Sequence, residues 1–241
     1  LYDVIILKMN LNIILFLNII VKKKNMIISI DGNIGSGKST LIKFLTKQFP
    51  DFKLIPEPVE DWLKATDKNG KSILELFYGD KSRWGYTFQN FAYITRVKKL
   101  LQILEETNKK TILITERSIL TDKYIFAKML YESGDMTELE WKMYNTWFDV
   151  LLSKVTVDAV IYVNTKPEKC KKRITKRARV GEENISIDYL NNLDKYHTEW
   201  LSSDTIPILT IDGNVDFITD EDELYKIINN IEKFIDSKLK M

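Results

Sequence analysis

The chain has 241 residues, with 36 Lys or Arg against 34 Asp or Glu and a net charge of +2. This balance gives no broad basic surface for nucleic acid or a membrane. Hydrophobic residues make up 44%, enough for the core of one ordinary domain and too many for a disordered chain. The single cysteine, Cys170, excludes an internal disulfide and suits a reducing compartment, the cytoplasm first and an organelle second.

Residues 11–21, LNIILFLNIIV, are apolar but broken by Asn12 and Asn18, and the run is short for a membrane span. As the core of a secretory signal it lacks a small-residue cleavage site, because Lys22, Lys23 and Lys24 follow. Arg and Ser are absent, which argues against a typical transit peptide. Residues 1–25 read as an extension of unknown role, or as upstream sequence translated in frame. One domain over residues 26–241 follows.

MIISI (26–30) is a short apolar strand, and residues 39–49 form a helix with Leu41, Ile42 and Leu45 on one face. FKLIPEPVEDW reads as a strand ending in prolines that flank Glu57 and hold it on extended backbone. Residues 81–106 form a long helix, with Ile94, Val97, Leu101 and Leu104 at steps of three and four. TILIT (111–115) is a buried strand. Helices are expected over 119–133 and 137–153, the second opened by a capping box of Thr137 and Glu140. DAVIYV (158–163) and PILTID (207–212) are further strands. Residues 167–179 are a basic helix, 187–200 another, and a terminal helix closes the chain. Strands alternating with helices predict an α/β fold, a parallel sheet covered on both faces. Ligands of such sheets bind beyond the carboxyl ends of the strands, where Asp31, Glu57, Glu116 and Asp212 are expected.

Gly32-Asn33-Ile34-Gly35-Ser36-Gly37-Lys38-Ser39 fits G-x-x-x-x-G-K-[ST] between a strand and a helix. Its glycines let several N–H groups point inward, and the following helix adds the positive end of its dipole. Lys38 supplies a mobile charge for β- and γ-phosphates, and Ser39 a hydroxyl for Mg²⁺. A GTPase would carry N-K-x-D after a later strand, but Asn164-Thr165-Lys166-Pro167 stands there without the aspartate. Asp67-Lys68-Asn69-Gly70 fits D-x-x-G, yet lies in a polar loop.

Phosphoryl transfer also needs an acceptor site with an orienting carboxylate and surrounding positive charge. Glu57 is the candidate base, Arg117 a partner for it or for the acceptor oxygen, and Glu116 a carboxylate within reach of Mg²⁺. In KPEKCKKRITKRAR, Arg173 and Arg177 share a helix face. With Arg179 they suit a lid that closes on a triphosphate and excludes water, while the lysines read as a solvated face. Trp62, Phe77, Tyr78, Trp84, Phe88, Phe91 and Tyr93 are mostly core. A few of them suit a slot for a flat ring whose edge Gln89 would read.

The segments IDGNIGSGKST, PEPVEDW, LFYGDKSRWGYTFQNFA, ERSILTDKYIFAKMLYESG, RITKRAR and ILTIDGNVDF, in this order, resemble the deoxynucleoside kinase family, in particular its deoxycytidine/deoxyguanosine kinase branch. The resemblance covers nearly all of residues 26–235. It implies a P-loop kinase with an arginine-bearing lid, moving the γ-phosphoryl of ATP or another triphosphate such as UTP to the 5′-hydroxyl of a deoxynucleoside. Glu57 matches the general base, with a proton affinity expected to suit neutral pH. Arg117 matches the active-site arginine, and Ser39 and Glu116 the Mg²⁺-associated residues. Residues Gly32 to Thr40 (including Thr40 itself), Arg173, Arg177 and Arg179 match the phosphate-binding set. Gln89 and Phe126 match residues at the acceptor base, Val59, Trp62 and Phe88 others lining that site, and Asp216 and Phe217 the loop beside the donor base. Tyr78 and Glu182 match the pair at the sugar 3′-hydroxyl. Val180 and Gly181 stand where the pattern has one residue, so either Glu182, by its spacing to Tyr189, or Glu183 fills that place. Arg96 and Asp122 are charged where the thymidine-accepting branch is typically uncharged, which implies deoxycytidine or a purine deoxynucleoside. The resemblance also implies a homodimer, paired through the long helices. A thymidylate-type monophosphate kinase and a non-catalytic nucleotide-binding protein stand as alternatives.

Overall fold

A computed structural model describes residues 25–107, 111–152, 156–203 and 206–239. The extension expected before Met26 lies outside the described residues except for Asn25. The elements in chain order are β1 (Met26–Asp31), α1 (Lys38–Gln48), β2 (Lys53–Ile55), α2 (Val59–Lys64), α3 (Ile73–Gly79), α4 (Lys81–Glu106) and β3 (Ile112–Glu116). Next comes α5, built from helical Ile119–Thr121, a π-helical stretch Asp122–Ala127 and helical Lys128–Glu132. Then follow α6 (Glu138–Leu152), β4 (Ala159–Asn164), α7 (Pro167–Arg177), α8 (Ile187–Ser203), β5 (Ile208–Asp212) and α9 (Glu221–Leu239).

Among the described residues, five strands form one sheet in the order β2-β3-β1-β4-β5, every pair parallel. Ile28 registers with Ile114 on one side and Ala159 on the other, so β1 is central. The strands are apolar runs because both faces are covered. Leu113, Val160 and Tyr162 join one core with α4, α5 and α8, while Ile28, Ile30, Ile114 and Ile161 join a second with α1 and α9. A parallel sheet puts all carboxyl ends at one edge. There β1 opens into the glycine loop, β2 into Pro56-Glu57-Pro58, β3 into Arg117 and β5 into residues 213–218.

Several details depart from the sequence expectation. The strand ends at Ile55, before the prolines as expected, but Val59–Lys64 beyond them coil into α2 with Glu60 and Asp61 in its first turn, where the helix dipole favours acidic side chains. Helix α3 was not anticipated. Ser72 and Glu75 form its capping box, with the Ser72 N–H donating to Glu75 Oε2 at 2.9 Å and the Glu75 N–H to Ser72 Oγ at 3.2 Å. The basic helix ends at Arg177, since Ala178 is left-handed with φ 49°, and Arg179 lies beyond it. On α4 Val97 is buried but Ile94 is 53% exposed. The Thr137–Glu140 box at α6 is present, Thr137 N–H donating to Glu140 Oε2 at 2.8 Å. Tyr93, Tyr144 and Phe148 stack between α4 and α6.

Candidate active site

At the carboxyl edge a cavity of about 1090 Å³ runs from the glycine loop to the aromatic end of α4. Gly32, Gly35 and Gly37 of the loop all have positive φ. A Cβ at Gly32 would lie 2.6 Å from the Val163 carbonyl oxygen, so the loop turns where a side chain has no room. Ile34, Gly35, Gly37, Lys38, Ser39 and Thr40 line the cavity. Gly32, Asn33 and Ser36 sit behind that lining as its support. Asn33 Nδ2 donates to the Leu190 carbonyl (2.9 Å), and the Ser36 carbonyl accepts from Thr165 Oγ1 (2.9 Å) and Arg173 Nη1 (2.8 Å).

Lys38 is buried, with its ammonium donating to the carbonyls of Gly32 (3.0 Å) and Asn33 (2.7 Å). Burial first, and then the neighbouring Arg117, pull its pKa down to about 7. Ser39 Oγ donates to Glu116 Oε1 at 2.6 Å, bringing the two expected metal-associated oxygens together.

Glu57 lies between its prolines with its side chain 10% exposed, facing the cavity and not bulk solvent. Its Oε1 accepts from Arg117 Nη1 at 2.6 Å and from Arg96 Nη2 at 3.2 Å. Burial pushes the carboxyl up, but the two guanidiniums outweigh it and hold the pKa at about 2. The expected tuning toward neutrality is therefore corrected: Glu57 is a firmly ionised carboxylate, because two cations flank it. Arg117 reaches it from a left-handed backbone, φ 60°. That conformation is pinned by the Arg117 N–H donating to the Ile30 carbonyl (3.0 Å) and by Thr115 Oγ1 donating to the Arg117 carbonyl (2.6 Å). The chain's one histidine, His197, is fully buried with Nδ1 2.6 Å from the Leu193 carbonyl, and burial holds its pKa at about 3. No imidazole serves this cavity; Glu57 lines it together with the carboxylates of Glu116, Asp122 and Glu182.

Arg96 forms a bidentate pair with Asp122, Nε to Oδ2 at 2.8 Å and Nη2 to Oδ1 at 3.2 Å, and its Nη1 donates to the Glu116 carbonyl at 2.7 Å. Gln89 and Arg96, two turns apart on α4, both line the cavity. Gln89 is only 2% exposed, and its Oε1 is buried without a hydrogen-bond partner. An orphaned buried amide facing a cavity implies a ligand donor opposite it. The π-helical stretch places Asp122 and Phe126 on the same cavity, with the Arg117 guanidinium 5.1 Å from the Phe126 ring. Phe77 stacks on Phe88 and Trp62 meets Phe88 edge-on to form an apolar wall, with Trp62 Nε1 donating to Thr95 Oγ1 at 3.0 Å, and Val59 and Tyr78 complete it. Burial, and after it Glu182, raises the Tyr78 hydroxyl well above its usual range, so it stays a donor.

Glu182, not Glu183, enters the cavity, and its carboxylate pairs with Arg177 (2.5 Å) and Arg179 (2.9 Å). Arg173 lines the cavity too, but its guanidinium is spent on the Ser36 carbonyl and on that of Gly213 at 3.0 Å. Phe217 packs against Gly37, and exposed Asp216 caps the following turn through the Ile218 N–H at 3.2 Å. All four carboxylates stand at or just past strand ends as expected, but two of them do not line the cavity. Asp31 is fully buried, accepting from Ser29 and Thr121 hydroxyls, and Asp212 shapes its own exposed turn by accepting from the Asn214 N–H at 2.8 Å. Conversely, Lys169 and Lys176 line the cavity although charge pattern alone marks the lysines of their run as solvated, and Lys43 joins them from α1. Their shared proximity to the loop is set by the fold, which spacing does not encode.

A family model described as deoxynucleoside kinase matches residues 28–236. The chain belongs to the deoxynucleoside kinase family. It is 39% identical over 232 residues to the probable deoxycytidine kinase of Fowlpox virus (strain NVSL), covering 93% of this chain and 94% of that protein. It is 36% identical over 239 residues to deoxycytidine kinase 2 of Gallus gallus, covering 87% and 90%. It is also 33% identical over 235 residues to the mitochondrial deoxyguanosine kinase of Xenopus laevis, covering 86% and 89%. This kinase is accordingly a phosphotransferase that uses a nucleotide donor and the hydroxyl of a deoxynucleoside as acceptor. Among the described residues no helix is long and apolar enough to cross a membrane.

Proposed function

We propose that this deoxynucleoside kinase transfers the γ-phosphoryl of ATP, or of UTP, to the 5′-hydroxyl of deoxycytidine or a purine deoxynucleoside in preference to thymidine. One observation carries the reading. Glu57, clamped by Arg117 and Arg96, and the orphaned amide oxygen of Gln89 share one cavity with the glycine loop. In the bound complex Glu57 orients the 5′-hydroxyl and takes its proton late, once the arriving phosphoryl has made that hydroxyl acidic, as a carboxylate of low proton affinity must. Lys38 and the lid arginines Arg177 and Arg179 spread over the phosphate oxygens, while Arg173 fastens the lid helix to the loop. Gln89 reads the base edge with Phe126 packed on its face. Tyr78 and Glu182 hold the 3′-hydroxyl, and Asp216 with Phe217 borders the donor base.

The oxygen pair Ser39–Glu116 beside the phosphate loop fits Mg²⁺, which takes few protein ligands and keeps phosphate oxygens and water for the rest. When bound there, the ion neutralises charge on the transferring phosphoryl.

Arg96 underlies the base preference. Three acceptors fix it, so the Arg96–Asp122 pair has no freedom to swing aside for a 5-methyl group. A panel of the four deoxynucleosides and their monophosphates, with ATP and UTP, tests this. Deoxycytidine or a purine deoxynucleoside should exceed thymidine in kcat/KM by at least about tenfold. A preference for thymidine or for a monophosphate acceptor defeats the reading.

We also assign a homodimer in the cytoplasm with no nucleic-acid partner. Helix α6 carries exposed Leu139, Met143 and Trp147 at steps of four on one face, with Trp147 56% exposed. A second copy of the same face would cover them symmetrically. Light scattering at micromolar concentration should give twice the 28.3 kDa chain mass, and Trp147→Glu a single chain. A monomeric unmodified protein sinks this assignment.

A further inference from the structure

Glu182 has both carboxylate oxygens occupied. Arg177 Nη2 donates to Oε2 at 2.5 Å and Arg179 Nη1 to Oε1 at 2.9 Å. The Glu182 side chain is 4% exposed, whereas those of Arg177 and Arg179 are 35% and 30% exposed. A carboxylate buried so deeply needs such compensation. Yet the two arginines face the cavity they share with the glycine loop, and a triphosphate there offers them several anionic oxygens. Their backbone has pivots on both sides: Ala178 is left-handed between them, and Gly181 is left-handed before Glu182. The backbone just before Glu182 sits close on α3, since a Cβ on Gly181 would stand 3.1 Å from the Glu75 side chain.

The same two cations therefore have two possible employments. On Glu182 they occupy the oxygens that a sugar hydroxyl needs. On a triphosphate they leave Glu182 as a buried carboxylate short of donors, which a hydroxyl beside Tyr78 can supply. We propose that Arg177 and Arg179 make recognition of the acceptor's 3′-hydroxyl depend on the donor: triphosphate draws them off Glu182, and the 3′-hydroxyl takes their place. This rests on the reading of Glu182 and Tyr78 as the sugar site and specifies when that site is open. Each ligand lowers the cost of the other's contact, so the coupling is reciprocal, and the nucleoside tightens the triphosphate by the same factor.

The test uses the full chain and whichever natural deoxynucleoside it phosphorylates best, beside that compound's 2′,3′-dideoxy counterpart. Dissociation constants are measured by titration calorimetry, alone and with β,γ-imido-ATP and Mg²⁺. The analogue should tighten the deoxynucleoside about tenfold and the dideoxynucleoside by less than about twofold. The double variant Arg177→Gln/Arg179→Gln should bind the deoxynucleoside more tightly without donor than the unmodified chain does, and should lose the response to the analogue. Equal responses of the two nucleosides overturn the proposal without any variant, because they show that the arginines serve phosphate and Glu182 together. A double variant that keeps the hydroxyl-specific response overturns it as well. Turnover of a deoxynucleoside with ATP is recorded in parallel: turnover without the hydroxyl-specific response removes only the donor dependence. Absence of turnover with any deoxynucleoside removes the underlying reading and this proposal with it.

Discussion

Glu57→Gln should bind a deoxynucleoside within about threefold of the unmodified kinase and lose about a thousandfold in kcat. The amide keeps the size of the side chain and can still accept from Arg117 Nη1, now 2.6 Å from Oε1, so the acceptor pocket stays shaped. It cannot take the hydroxyl proton. It also leaves two buried guanidiniums with Asp122 as the remaining carboxylate of the clamp, a change expected to cost about 3 kcal/mol of stability or more. Thermal unfolding separates that loss from the kinetic one. The pH profile is a second check. A carboxyl whose folded pKa is depressed to about 2 is ionised throughout the working range, so no acid limb between pH 5 and 8 belongs to Glu57. Near-normal turnover of Glu57→Gln would remove the carboxylate from the mechanism.

The strands were legible because they are buried on both faces and spell themselves as apolar β-branched runs. The glycine loop was legible because its backbone angles demand particular residues at particular spacings. What spacing could not carry was any outcome decided between distant segments. The π-helical stretch follows Thr121, whose hydroxyl is held by Asp31 from β1, and contains Asp122, held by Arg96 from α4. Both anchors lie far away in sequence. Arg173 looks like its neighbours in RITKRAR, yet only the fold brings two carbonyl oxygens to it. Spacing to Tyr189, by contrast, favours Glu182 over Glu183, and Glu182 is the one that enters the cavity. Helix α3 is a different case: its Ser72-x-x-Glu75 box was present in the sequence, hidden among aromatics that drew attention to packing. Ala178 has no such signal, since alanine rarely takes the left-handed conformation that ends α7.

The clamp explains why so much charge is collected in one buried place. Arg96 alone joins α4 to Asp122 on α5, to Glu57 after β2 and to the Glu116 carbonyl at the end of β3. A helix, a strand end and a loop are thereby fixed against one guanidinium. On the proposed reading, base preference and the orientation of Glu57 share Arg96, so changes made to widen the pocket there should also loosen Glu57. A gain of thymidine use by this route should be accompanied by a lower kcat.

Lys38→Met should lose about a hundredfold or more in kcat/KM for the triphosphate while making the empty protein more stable. The ammonium donates to two carbonyl oxygens, and burial with Arg117 beside it outweighs Glu116, Glu57 and Asp31 and brings its pKa from 10.5 to about 7. A lysine whose proton affinity falls on folding opposes folding. The penalty is complete below about pH 7, where both states carry the proton, shrinks as pH rises, and vanishes above the unfolded value. At about 1.4 kcal/mol per pH unit, its size is on the order of a few kcal/mol. The methionine variant should therefore melt several degrees higher at pH 6, with the gain fading toward pH 10. Triphosphate reverses the imbalance by returning an anion to the lysine. At pH 8 the unmodified kinase should take up nearly one proton on binding β,γ-imido-ATP, read from calorimetry in two buffers of different ionisation heat, and Lys38→Met should take up none. No proton uptake by the unmodified protein, together with a variant no more stable at pH 6, would show that Lys38 is charged and satisfied before the donor arrives. The glycine loop would then be a rigid receptor and not one that is completed by its ligand.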